Sequence, residues 1–109
     1  MNIWQRLKKA KVVGVDFDGT LSEGECYTND EVLKAIPRLD VIEKVNELSK
    51  TKFIVIFTAR RIHLAEASIR WLNHHEVQYQ AISFQKTPCD ILIDDKVMNV
   101  DDFMVKEVN

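Results

Sequence analysis

Glycine, proline and cysteine are scarce in this chain: three, two and two residues among 109. So little glycine and proline excludes a collagen-like repeat, and no low-complexity or linker stretch interrupts the sequence. The cysteines, Cys26 and Cys89, stand far apart, with no CxxC pair and no Cys/His group at zinc-ligand spacing. A disulfide framework and a structural zinc are therefore not expected; two reduced thiols in a cytoplasmic protein are. No apolar run approaches the length of a membrane span, and the basic N-terminal MNIWQRLKKAK lacks the continuous apolar stretch of a leader. Ile3, Trp4 and Leu7 instead share one face of a short helix that would pack on the domain. Strong charge of either sign is missing too. A net charge of −2 offers no general attraction for nucleic acid or an anionic membrane, so an anionic substrate must be held by local groups.

Apolar residues are well supplied, at 46% of the chain, enough for one core and a single domain spanning 1–109. Four short runs have strand composition: VVGVDF (12–17), FIVIFT (53–58), YQAISF (79–84) and ILID (91–94). Val, Ile and Phe without polar alternation suit parallel strands covered on both faces. After Pro37, Val41, Ile42, Val45 and Leu48 recur at helical spacing, and Leu64, Ala67, Trp71 and Leu72 do the same between the second and third runs. Strands alternating with amphipathic helices make βαβ units, hence an α/β domain with a three-layer, doubly wound parallel sheet. Residues 21–38 lack periodicity and read as an irregular flap or short hairpin, a candidate mobile cover. The final MVKEV is a possible edge strand.

Ligands of an open parallel sheet bind beyond the carboxyl ends of its strands. Asp16 and Asp18 end the first run, Thr58 the second, Lys86 follows the third, and Asp94 with Asp95 ends the fourth. Clustered carboxylates repel one another unless a cation intervenes, and hard oxygen donors on a short turn suit Mg²⁺. Asp16, Asp94 and the backbone carbonyl of Asp18, turned by Gly19, would hold it. A metal alone does not account for Thr58 and Lys86. A phosphoryl group does, because its oxygens want a hydroxyl, backbone amides at a helix N-terminus (Ala59 and Arg60) and a fixed positive charge. A carboxylate in line with phosphorus can attack it to form an aspartyl phosphate. Asp16 is assigned that role, and Asp18 that of the acid and base that moves the proton.

These residues resemble the motifs of the haloacid dehalogenase superfamily of phosphohydrolases over nearly the whole chain. DFDGTLS is similar to the first motif, FTAR with Thr58 to the second, Lys86 to the third and ILIDDK to the fourth. The resemblance implies a Mg²⁺-dependent phosphatase acting through an aspartyl phosphate, with Asp94 the direct ligand and Asp95 behind it. Neither insertion point has room for a cap domain, so the chain looks like a capless member. FTARR, WLNHH and IDDK look most like small phosphatases of sugar-phosphate and surface-polysaccharide synthesis. Many relatives carry glycine before the third-motif lysine, where this chain has FQKTP.

The expected substrate is thus a small phosphorylated metabolite, with a sugar phosphate ahead of the alternatives of a nucleotide or a polynucleotide end. A receiver-type phospho-accepting signalling domain is the non-enzyme alternative, disfavoured by the DxDGT turn and the order of the motifs. Acidity argues against nucleic acid as a partner, and a second copy of the chain is a possible one. Arg60 and Arg61 are candidates to contact a substrate anion. His63, His74 and His75 fit no ligand spacing and read as solvent-facing or capping. Trp71 reads as core.

Overall fold

Two apolar runs pair along almost their whole length in a computed structural model of the chain, which describes residues 1–105. β1 (Val12–Asp16) lies parallel to β2 (Phe53–Phe57), with Val12 opposite Phe53 and Asp16 opposite Phe57. β3 (Ala81–Ser83) joins the other side of β2, also parallel, with Val55 opposite Ala81. The helices are α1 (Ile3–Lys9), α2 (Asn29–Lys34), α3 (Leu39–Ser49), α4 (Ala65–His74) and α5 (Val100–Met104), and a short 3-10 turn at Ile62–Leu64 leads into α4.

The helical spacing in the sequence is realised on the expected faces. Val41, Ile42 and Val45 of α3 are buried, as are Leu64, Ala67, Trp71 and Leu72 on and before α4, and Leu48 packs against them. Asn2 caps α1 in a reciprocal pair, its Oδ1 accepting from the Gln5 amide at 2.9 Å while its own amide donates to Gln5 Oε1 at 2.8 Å. Ile3, Trp4 and Leu7 are the half-buried positions of that helix.

The fold is α/β with a parallel sheet, three strands of which pair among the described residues. Strand order advances one position at each crossover, and successive right-handed crossovers in one direction set α3 and α4 on the same side. Burial follows: Ile54 and Ile56 are fully enclosed, whereas Phe53 and Phe57, on the other face, are more than two-fifths exposed. Only a strand beyond β1 would carry the chain to the second face. The run at 91–94 does not supply it, for it is unpaired and Ile91, Leu92 and Ile93 are open to solvent. Its four residues run straight into a side-chain turn, Asp94 Oδ1 accepting from the Lys96 amide at 2.8 Å, which competes with extension.

Residues 21–38 fold back on themselves as the hairpin reading expects, with Ser22 antiparallel to Pro37: Leu21, Ser22 and Val32 are fully buried, Arg38 N donates to Leu21 O at 2.8 Å, and Glu23 N donates to Ile36 O at 2.9 Å. α2 lies within this stretch, and the Trp71 indole donates to Ala35 O at 3.0 Å just after it. In MVKEV, Met104 closes α5 and the last residues lie outside the described ones.

Candidate active site

Asp16 is the last residue of β1, and the chain beyond it turns at once. Phe17 enters the core, fully buried, its ring centroid 5.2 Å from that of Trp71. Thr20, Leu21 and Ser22 all donate backbone N–H groups to Phe17 O, and Gly19 N donates to Ser22 O at 2.8 Å. Gly19 takes φ +79°, a left-handed conformation that a side chain resists. The turn therefore presents Asp16 and Asp18 on either side of an inward-facing ring.

Backbone pairing continues past β2 and β3 and delivers the lysine. Thr58 N donates to Ser83 O at 3.0 Å, Gln85 N to Arg60 O at 3.0 Å, and Lys86 N to Thr58 O at 3.1 Å. Gln85 adopts φ +64°, in the left-handed region, to allow this. Lys86 Nζ then donates to Asp16 Oδ1 at 2.8 Å, with both side chains about two-fifths exposed.

Asp18 is held differently. Arg60 donates from Nη2 to Asp18 Oδ1 at 2.7 Å and from Nε to Oδ1 and Oδ2 at 3.2 Å each. Its Nη1 donates to Ser68 Oγ of α4 at 2.9 Å, and its guanidinium carbon lies 3.7 Å from the Phe17 ring centroid. The Arg60 side chain is 1% exposed, that of Asp18 19%. A charge that deep is tolerated only when paired and hydrogen-bonded, and carboxylate, hydroxyl and ring face together meet the requirement. Burial raises the pKa of the nearby Cys26 thiol, with Arg60 pulling it down and Asp18 pushing it up.

Thr58 is fully buried, and its Oγ1 accepts from the Arg60 amide at 3.1 Å. That amide is therefore engaged inside the loop, and α4 begins only at Ala65, so Ala59 and Arg60 do not stand at a helix N-terminus. The Arg60 side chain is enclosed, while Arg61, His63 and His74 are exposed. Asp94 and Asp95 are not gathered with the others. Asp94 is exposed, and the Lys96 amide and then Asp95 hold its carboxyl below the ordinary range. Asp95 Oδ2 lies 3.8 Å from Arg6 Nη1 of α1.

Among the described residues, no three or more His, Cys, Asp or Glu side chains form a group able to hold a metal ion. Asp16 is paired with Lys86 and Asp18 with Arg60. The carboxylate repulsion that called for a metal is met here by Lys86 and Arg60. Sequence reasoning missed Ser68. Its signal was a hydroxyl at a core position, one residue after Ala67 and three before Trp71 in the apolar stripe of α4.

Among solved structures, the chain is similar to the crystal structure of a target protein from Vibrio cholerae, with a TM-score of 0.80 and 31% identity over 89% of each chain. This chain and that protein belong to one family, which fixes the fold and assigns no activity. No family model and no curated protein matches the chain.

Proposed function

We propose that the chain is a phosphomonoester hydrolase of the haloacid dehalogenase kind, acting on a small phosphorylated metabolite, with a sugar phosphate favoured, through an aspartyl phosphate on Asp16. One observation carries this reading: an accessible carboxylate at the carboxyl end of a parallel strand, 2.8 Å from the ammonium of Lys86 and two residues from an immobilised second carboxylate. Asp16 is open enough to meet a substrate. Its oxygen attacks phosphorus as the bond to the departing alkoxide breaks, and Lys86 balances the negative charge gathered there. Water then attacks the phosphoryl group and loses a proton to Asp18. That proton is given to the leaving oxygen of the next substrate, so each turnover returns Asp18 to its starting state.

Mg²⁺ is part of this proposal, as an additional positive charge for the phosphoryl oxygens. Asp16, the Asp18 carbonyl and Asp94, with Asp95 behind it, would hold it. That requires the apolar run at 91–94 to pair along the open edge of β1, which would also complete the doubly wound, three-layer form. Both cysteines are free, in keeping with a reducing cytoplasm, and no helix among the described residues is long and apolar enough to cross a membrane.

Hydrolysis of p-nitrophenyl phosphate and a panel of sugar phosphates, nucleotides and oligonucleotide ends, with and without Mg²⁺, tests the reading. Turnover by the wild type and a loss of about 10³-fold or more in Asp16→Asn, with an unchanged melting curve, is the expected result. A wild type inert on every phosphomonoester would end the enzyme reading. A stable phosphoryl-aspartate without turnover would move it to the receiver class.

A further inference from the structure

Arg60 is enclosed against solvent yet directs three hydrogen bonds at one carboxylate. A lone ion pair in that position would be a doubtful source of stability, because desolvating two charges offsets much of their attraction. Its placement points to orientation instead. An aspartate on a turn rotates about two side-chain bonds. A guanidinium fork laid against its carboxylate fixes the plane of that group, which a lysine, a single-point donor, cannot do. The fork is itself held. Ser68 accepts from its far nitrogen at 2.9 Å and Phe17 lies under its face, and both are fully buried.

The two oxygens of Asp18 are not equivalent. Oδ1 accepts from both Nη2 and Nε, whereas Oδ2 accepts from Nε alone, at 3.2 Å. We propose that Arg60 is the positioning residue of the site: with Ser68 and Phe17 it fixes Asp18 so that Oδ2 is the oxygen that carries the proton to the leaving group. This rests on the phosphatase reading above and adds to it a chain of command from α4 to the reacting atoms. Arg60 touches no substrate in this scheme.

The leaving group supplies a test that a merely structural role would not answer to. p-Nitrophenolate departs without a proton and an alkoxide does not, so kcat/KM, which reports the steps through departure, should separate the two esters. Arg60→Lys is expected to lower kcat/KM for glycerol phosphate by about 10²-fold and for p-nitrophenyl phosphate by less than about 10-fold. Ser68→Ala, which keeps the guanidinium but removes its anchor, should show the same bias at smaller size and guards against misfolding of the first variant; melting curves report folding for both. Equal losses on the two esters in both variants, or wild-type kcat/KM for glycerol phosphate in folded Arg60→Lys, would overturn the positioning role while leaving the phosphatase reading intact. A wild type inert on both esters would overturn that reading, and this role with it.

Discussion

Asp16 and Asp18 stand two positions apart, yet one carboxylate faces water beside an exposed ammonium while the other is gripped by a buried guanidinium. Asp16 closes the strand and Asp18 opens the turn that follows it, which Gly19 makes possible. A Cβ at Gly19 would meet nothing within 4 Å, so Gly19→Ala pays only for the left-handed backbone at φ +79°. It should lower the unfolding free energy measured in urea by about 1–2 kcal/mol. His75 makes a separate prediction. Burial, with its ring 4.4 Å from that of Trp71, and then the neighbouring His74 lower its pKa below the ordinary 6.5. Because the unfolded chain then binds the proton more tightly, the contribution of His75 is fully present above pH 6.5 and is lost as pH falls through the folded value. The melting temperature should therefore drop on acidification from pH 7 to 5, with a shallower slope in His75→Asn. The placing of Lys86, Asp16 and Asp18 at one sheet edge was legible because each stands at or just beyond the end of a strand-like run. The enclosure of Arg60 was not, since nothing next to it in the chain says that Phe17 and Ser68 will close around it.

Helices were the most readable elements. The stripes of α3 and α4 place large apolar side chains at spacings that admit one buried face, and those faces are the core. α2 has only six residues, too few to hold a helix by propensity, and Val32 is its sole buried residue. Its signal was the Thr28 to Glu31 spacing: Thr28 Oγ1 accepts the Glu31 amide at 3.2 Å, although Glu31 answers to the Tyr27 amide instead of that of Thr28. Thr28→Ala should cost about 1 kcal/mol in chemical denaturation. The run at 91–94 shows the opposite case, strand composition without a strand. Ile91 and Ile93 favour extension, but pairing needs a partner edge brought within reach, and the Asp94 turn at its end is a local alternative.

At the scale of the whole molecule, one face of the sheet is core and the other is not, and two adjacent residues report it. Ile54 is fully buried and Phe53 is 46% exposed on the opposite face. Ile54→Ala should lose about 2–5 kcal/mol, through lost contacts and the cavity left behind. Phe53→Thr should stay within about 1 kcal/mol in the same denaturation assay, because a half-exposed ring has few contacts to lose. Runs of Val, Ile and Phe could not reveal this asymmetry, since composition reports that a strand is apolar and says nothing of which helices arrive over which face. What the sequence by itself determined is the order of βαβ units, the buried stripes of α3 and α4, and the gathering of Asp16, Asp18, Thr58 and Lys86 at one sheet edge, all of which follow from local periodicity and chain order. What only the tertiary structure decided is the pairing: Lys86 with Asp16, Arg60 with Asp18 and Ser68, and neither with Asp94. Such pairings depend on distances through space between residues as many as 70 positions apart, set by how elements pack and not by anything written beside them in the chain.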